Sequence, residues 1–498
     1  MKKSLLGAAI LGTVGLVSPL TTNVYATEAI TTYEGLKTCL ESETDTTCTL
    51  GGNIEASATM NVRSNIVLEL GSYTISAATP FTEGANCVIT VVHGGTLTIN
   101  SEDDGRIDAS TNANVYGAIR LTSHVAELQD ITKTASVVVN NGTIKGQYYG
   151  ITGMGEAVRK NTSIVVNGGT IIGVAENDSV GIYNPQGEST IEINGGTVTG
   201  ATGVGMKSGT ITLNGGTISA VGDYQSSPAV KSGSIEISGA AIQLESNKNY
   251  AGDMNVVVNG GIIESEKGAA IQEYGDAETT NVQSITINAG DISSHENVLV
   301  SSKLADSLAS YVGEGSIATT NEATHLVVEK VAEISGKEED QEIIIDGAEL
   351  GSDEETEVKK LVEGIKIVGA FTITVKENGD EVTETENKLT FAFNVDEGDL
   401  FPADGYTRSW YVIRFHDGKA EKIDAVVDTD AKTITFQSDK FSTYAAGYVD
   451  AAKTPKAPDT GFATKEAGSV AAILNIVAVA LISAGAFVAA KMKYYRTR

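Results

Sequence analysis

SIVVNGGTIIG, residues 163–173, returns as TIEINGGTVTG (190–200), TITLNGGTISA (210–220) and NVVVNGGIIES (255–265). Looser copies are SVVVNNGTIKG (136–146), SIEISGAAIQL (234–244), SITINAGDISS (284–294) and TVVHGGTLTIN (90–100). From Asn140 to Asn288 the turn position recurs at intervals of 27, 27, 20, 24, 21 and 29 residues. Between the copies falls a second small motif: AIR (118–120), GIT (150–152), GIY (181–183), GVG (203–205), AVK (229–231) and AIQ (270–272). Each period therefore holds three short strands. One ends at Asn-Gly-Gly, one follows it as Thr-[IV]-x, and the third is [GA]-[IV]-x. Alternation at period 2 sends one residue inward and the next outward. Glycine supplies the positive backbone angles of a sharp corner.

One such coil cannot bury its own apolar face, whereas stacked coils can. The expected architecture is a three-sided parallel β-helix over 45–300. Asn140, Asn167, Asn194, Asn214, Asn259 and Asn288 then stack at one corner as an amide ladder. A propeller blade needs a longer period with four strands.

Residues 45–300 resemble the right-handed parallel β-helix proteins of the pectate-lyase-like group. The resemblance implies a helical cap at the N-terminal end. TYEGLKTCL (32–40), within a cap region spanning 27–44, places Tyr33, Leu36 and Leu40 on one helical face. SNIVLELGSYTI (64–75) is then among the first coils. The group includes pectin-cleaving lyases and glycoside hydrolases, so a polysaccharide-degrading enzyme is one expectation. Fold alone does not license it. Outward positions on the third strand are Arg120, Thr152, Tyr183, Gly205, Lys231 and Gln272, a row without a carboxylate. Outward positions before the Asn-Gly-Gly corner include Glu192 and Glu236, two coils apart, at roughly 10 Å for strand spacing of ~4.8 Å.

SEDDGRID (101–108) reads as a polar turn. The His-bearing motif of the group's hydrolases is missing, and the five histidines (His93, His124, His295, His325, His416) have no metal-ligand spacing. GATGVGMKSG (200–209) imitates a phosphate loop, but Met206 stands where lysine belongs. The sequence thus offers no catalytic residues, metal site or cofactor. Uneven loops such as YQSSP (224–228) and EYGDAETTN (273–281) are where binding usually resides. Arg120, Tyr183 and Lys231 form the candidate ligand-contact face, with the ring stacking on a glycan and the cations bonding its hydroxyls.

The chain has 498 residues and a formal net charge of −29. Such a polyanion repels nucleic acid and anionic lipid at long range. Lys2, Lys3, the apolar LLGAAILGTVGLV and the small-residue ending Val24-Tyr25-Ala26 read as a secretory signal, residues 1–26, cut after Ala26. Export permits disulfides. Cys39 and Cys48, nine apart, flank the acidic loop ESETDTT and are candidate partners, leaving Cys87 as a buried apolar thiol.

After a linker, 301–325, residues 326–450 change character. SDEETEVKKLVEGI reads as a short helix started by Ser352. FTITVKENG, NKLTFAFNV, WYVIRFHDGK, AEKIDAVVDTD and AKTITFQSD read as strands of a small β-sandwich-like domain. Phe436, Phe441 and Tyr444 are core candidates, and His416-Asp417 is a hairpin turn. HDGK with TITFQSDKFSTYAAGY resembles the small β domains that precede the anchor of bacterial surface proteins, which implies a stalk.

A spacer, 451–467, precedes an uncharged run, 468–490, long enough to cross a bilayer, and a basic tail, 491–498, whose charge holds that end cytoplasmic. Ala457-Pro458-Asp459-Thr460-Gly461 resembles the Leu-Pro-x-Thr-Gly sorting motif read by sortases, with Ala457 in place of leucine. The resemblance implies cleavage between Thr460 and Gly461 and attachment of Thr460 to peptidoglycan. The expected protein is therefore an adhesin or glycan-binding protein displayed on a Gram-positive-type envelope, with sortase, peptidoglycan and glycans as partners. A polysaccharide-degrading enzyme and a structural surface-layer component are the alternatives.

Overall fold

The computed structural model describes residues 29–453, except 82–86, 123–129, 155–159, 231–235, 251, 276–282, 302 and 306. The signal with Ala26, Lys231, His124, the sorting residues Ala457 to Gly461, the apolar run and the basic tail lie outside the described residues. Among those described, no helix is long and apolar enough to cross a membrane.

Three long sheets dominate, and their strands follow one another cyclically along the chain, in the order first, second, third. The first runs in nine strands from Thr46–Thr49 to Gln283–Ile287, and the third in nine from Met60–Val62 to Leu299–Val300. The second has eleven, nine of them parallel from Ile54–Ala56 to Gly290–Ser294. This all-β arrangement of long parallel sheets fits a parallel β-helix. Nine rungs at ~4.8 Å give a rod of roughly 40 Å.

The inward positions stack like on like. In the third sheet Ile89, Ile119, Ile151, Ile182, Val204, Ile242, Ile271 and Leu299 occupy successive rungs. In the second, Ile144, Ile171, Val198, Ile218 and Ile263 do the same. All belong to one apolar cluster, and nearly all are fully buried. The β-branched side chain suits this role because its stiff χ1 fits the pleated wall.

The corner between the first and second sheets explains the Asn-Gly-Gly signature. Each asparagine donates its Nδ2 to Oδ1 of the one below at 2.8–2.9 Å: Asn167 to Asn140, Asn194 to Asn167, Asn214 to Asn194, Asn259 to Asn214 and Asn288 to Asn259. The ladder extends one rung further than the repeat showed, from Asn140 to Asn100, and ends where Asn100 donates to Glu69. Both glycines are required. A Cβ on Gly195 would lie 2.7 Å from the Asn167 carbonyl, and Gly196 has φ +80°.

Two weaker copies of the repeat turn out differently. His93-Gly94-Gly95 turns from the third sheet into the first, since Cys87–Val91 and Thr96–Asn100 flank it. Residues 234–244 are not a coil. Ala229–Val230 and Glu236–Ile237 pair antiparallel with each other, and the third-sheet strand of that coil is Ile242–Ser246. The coil from Asn214 to Asn259 thus contains an insertion, and Val204 still pairs with Ile242 and Ile211 with Val256 across it.

Tyr33–Leu40 is a helix, capped by the Thr32 hydroxyl, with Leu36 and Leu40 buried in the rod's core. A Cys39–Cys48 disulfide ties it to the first strand, and Cys87 is free and buried. At the other end, the stretch read as a linker contributes structure. Ser316–Glu322 and His325–Lys330 form a hairpin that joins the second sheet antiparallel to Gly290–Ser294.

Beyond it lie two mainly antiparallel sheets. One is ordered Ala332–Ser335, Glu384–Asn394, Thr433–Lys440, Ala425–Asp428. The other is ordered Gln341–Gly347, Lys366–Glu377, Thr443–Ala452, Tyr406–His416, Lys419–Ile423. Residues from both share one core with Phe371, Phe391, Phe393, Phe436, Phe441 and Tyr444. The helix Ser352–Leu361 starts one residue earlier than its sequence suggests: Gly351 is the N-cap, and its N–H donates to Glu354 at 2.9 Å. Ser352 already lies inside the helix.

Candidate functional site

The third sheet is buried on both faces over much of its length. Strands Gly117–Leu121, Val180–Asn184, Thr202–Met206 and Ile242–Ser246 have no exposed residue. At Arg120 and Tyr183 the expected contact face is therefore closed. Arg120 and Tyr183 do point away from the rod's core, but each is only 6% exposed. Arg120 donates to the Thr90 hydroxyl at 3.3 Å. Tyr183 stacks 6.1 Å from Tyr149 and packs with Val180, Ala201 and Ile237. Ile237 comes from the insertion, which packs over this outward row. Cys87 begins the third-sheet strand Cys87–Val91, near Arg120 and Tyr149, and burial pushes its thiol up to about 11.

The carboxylates are redistributed as well. Glu192 stays on the first sheet, where it accepts from Asn214 at 3.4 Å. Glu236 belongs to the insertion beside the third sheet, so the two do not share a row. Residues 101–105 form the polar turn expected, with the Ser101 hydroxyl donating to Gly71 and Asp103 carbonyls and accepting from Gly105. Among the described residues no group of three or more His, Cys, Asp or Glu is placed to hold a metal ion.

A different constellation forms two residues further along the third-sheet strands. Glu245 and Tyr274 are direct cross-strand partners, and Lys207 immediately follows Met206, which pairs with Leu244. Lys207, Glu245 and Tyr274 thus occupy successive rungs of one outward row. Lys207 Nζ sits 2.6 Å from Glu245 Oε1 and 5.0 Å from the centre of the Tyr250 ring. The Tyr274 hydroxyl lies 3.4 Å from Glu245 Oε2, is hydrogen-bonded to Glu236, and accepts from Gln243 at 2.9 Å. Gln243 also donates to the Glu236 carbonyl at 2.9 Å. In the neighbouring row Gln272 pairs with Gln243, donates to the Gln225 carbonyl, and leaves Oε1 buried without a donor.

Electrostatics follow from this crowding. Burial, then the nearby Glu245 charge, raises the Glu236 carboxyl above its ordinary value, against the lowering pull of Tyr274 and Lys207. Burial and the two carboxylates push the Tyr274 phenol up, so it remains a neutral donor. The arrangement brings two carboxyl groups to one hydroxyl beside a cation and an aromatic ring. Glu245 is only 4% exposed and is spent on its ion pair with Lys207, so the groups left for a polar ligand are the half-buried Glu236, Tyr250 and Tyr274.

A raised carboxyl pKa contributes stability that is complete below the unfolded value and lost as pH rises through the folded one. Glu236→Gln keeps the neutral form at every pH. Its thermal midpoint should therefore gain on the wild type as pH is raised from acid toward neutral, which melting curves across that range measure. A constant difference would show that Glu236 does not titrate in the folded state as described.

The outward row expected from the sequence is buried at Arg120 and Tyr183, and the polar cluster lies at the next outward positions of the same sheet. Extending the alternation two residues past Gly205, Gln243 and Gln272 leads to Lys207, Glu245 and Tyr274. Glu236 stands out in the sequence as a companion of Glu192, and the structure gives it Tyr274 and Glu245 instead, because it arrives on an insertion that mimics a repeat.

In the second domain, a cavity of about 210 Å³ opens between the two sheets, lined by apolar groups with Trp410 and Asp399. The Asp399 carboxylate is engaged by Lys366 at 2.8 Å and Tyr448 at 2.9 Å. His416 lies at the hairpin turn, 3.4 Å from Glu384, with Asp417 at φ +50°. Comparison with protein-family models, curated proteins and solved structures finds no match to this chain.

Proposed function

We infer that the chain is exported, fixed to a Gram-positive-type envelope at Thr460, and displays a glycan-binding patch on the side of a right-handed β-helix of the pectate-lyase-like kind. The observation that carries the binding role is the row Lys207–Glu245–Tyr274 with Tyr250 and Glu236 beside it. The half-buried Tyr250, Tyr274 and Glu236 suit a sugar ring and its hydroxyls, and the Lys207–Glu245 ion pair on the rigid sheet holds them without further ordering cost. The anchor rests on the spacing of Ala457 to Gly461, the uncharged run and the basic tail.

Glycan-array binding of the mature protein tests the first half. Tyr250→Ala and Lys207→Ala should each weaken retention about tenfold, the loss of about 1.4 kcal/mol that one stacking or charged contact supplies. Unchanged retention in both variants would remove the patch from the binding role, and no retained glycan at all would favour the structural surface-layer reading. The mass of the mature C-terminus tests the second half: an end at Thr460 supports sorting, and an end at Arg498 overturns it.

A second reading is favoured by one contact set. Glu236 and Glu245 both reach the Tyr274 hydroxyl, and the raised Glu236 carboxyl is the kind of group that serves as a general acid opposite a second carboxylate. Release of reducing ends from a bound polysaccharide, abolished by Glu236→Gln, would establish that reading. Binding without release excludes it for that glycan.

A further inference from the structure

Six asparagines are followed directly by glycine: Asn141, Asn167, Asn194, Asn214, Asn259 and Asn378. This dipeptide invites a self-inflicted reaction, because glycine offers no Cβ to shield its backbone nitrogen. The nitrogen loses its proton to solvent base and bonds to the asparagine Cγ. The Cγ–Nδ2 bond then breaks, ammonia leaves, and a five-membered imide remains. Water opens the imide at either carbonyl to aspartate or to its isomer with the chain running through the side-chain carbon. The net change is water in and ammonia out, with no oxidant or reductant.

The six sites differ in how firmly they are held. Asn167, Asn194, Asn214 and Asn259 each donate from Nδ2 to the rung below and accept at Oδ1 from the rung above. Rotation of the amide toward its own backbone would break both bonds. The attacking nitrogens of Gly195 and Gly215 are further engaged with the carbonyls of Val166 and Ile193 at 3.3 Å. Asn141 accepts the Ser101 N–H at its Oδ1. The ends of the ladder, Asn100 and Asn288, are followed by Ser101 and Ala289, not glycine.

Asn378 is set otherwise. It is exposed at the tip of a two-residue hairpin, between Lys366–Glu377 and Asp380–Val382, with φ +52° at Asn378 and +90° at Gly379. Its Nδ2 donates to Asp340 Oδ2 at 2.9 Å, which binds the leaving group and not the carbonyl. Nothing lies within 4 Å of where a Gly379 Cβ would stand. The hairpin needs Asn-Gly for its positive angles, so the labile pair is imposed by the turn.

We propose that Asn378 is a site of spontaneous deamidation in the folded protein, and that the amide ladder protects Asn167, Asn194, Asn214 and Asn259 while the Ser101 N–H holds Asn141. Conversion at 378 replaces an amide donor with a carboxylate facing Asp340. It therefore adds repulsion where the Asn378 N–H bonds the Asp340 carbonyl at 3.1 Å.

The test is peptide mapping by mass spectrometry after incubating the mature protein at mildly alkaline pH, folded and in denaturant. In the folded sample the peptide carrying 378 should convert, while the five ladder-corner peptides stay at least tenfold slower. In denaturant all six should convert at comparable rates. Conversion of the ladder peptides in the folded protein as fast as 378, or an unconverted 378, overturns the proposal. Asn167→Ala, which removes the acceptor of Asn194, should speed conversion at 194 alone, with the 378 peptide in the same digest as the internal reference. No change at 194 would dismiss the ladder as the protecting element.

Discussion

Ile182→Ala should lower the unfolding free energy by about 2–5 kcal/mol, the range for emptying a buried isoleucine site. Ile182 is fully buried, with Ile151 on one rung beside it and Val204 on the other. Its neighbours are held by strand pairing, so the wall cannot collapse inward to fill the space, and the upper half of the range applies. Chemical denaturation of the wild type and variant measures it: the midpoint falls while the slope stays unchanged. A loss below about 1 kcal/mol would mean that the coils repack around the gap.

The second large effect belongs to the other domain. Phe391→Ala should cost about 3–5 kcal/mol. Phe391 is fully buried, with its ring 5.4 Å from Phe436 and 6.4 Å from both Phe393 and Phe441. Phe371 joins them, stacked 4.0 Å from Phe393 and 5.6 Å from Tyr444. Truncating Phe391 removes apolar area and also the offset contacts that add about 0.5–1.5 kcal/mol per pair. Phe391→Leu should recover most of the loss, because volume matters more here than aromaticity. Melting curves of the three forms decide it, and equal losses for Ala and Leu would assign the energy to ring stacking instead.

How far the sequence could be read depended on what repeats. Inward columns such as Ile151–Ile182–Val204 were legible because every rung poses the same packing problem and receives nearly the same side chain. The amide corner was legible for the same reason, since each asparagine is both donor and acceptor to its copies. Alternation also separated inward from outward correctly at Arg120 and Tyr183. It could not tell whether another stretch of chain lies over the outward side. That depends on Ile237, part of a segment whose spacing imitates one more coil. The polar cluster failed to announce itself because its members come from different rungs and one insertion. No local spacing joins Lys207 to Glu236. The disulfide partners, by contrast, needed only proximity along the chain, and their Cα atoms lie 5.9 Å apart.

The coil from Asn214 to Asn259 is 45 residues long, yet Asn259 bonds Asn214 at 2.8 Å, as closely as any shorter coil bonds its neighbour. Length in this molecule is therefore uncoupled from register. A coil can swell at the side that runs from the second sheet into the third without moving a single rung of the wall. For evolution, and for a protein engineer, that side is an open socket. Whole hairpins can be plugged in there, exchanged or enlarged, while the backbone of the rod keeps its alignment. The chain has already used the socket once, and what it plugged in reshaped the outward row of the third sheet.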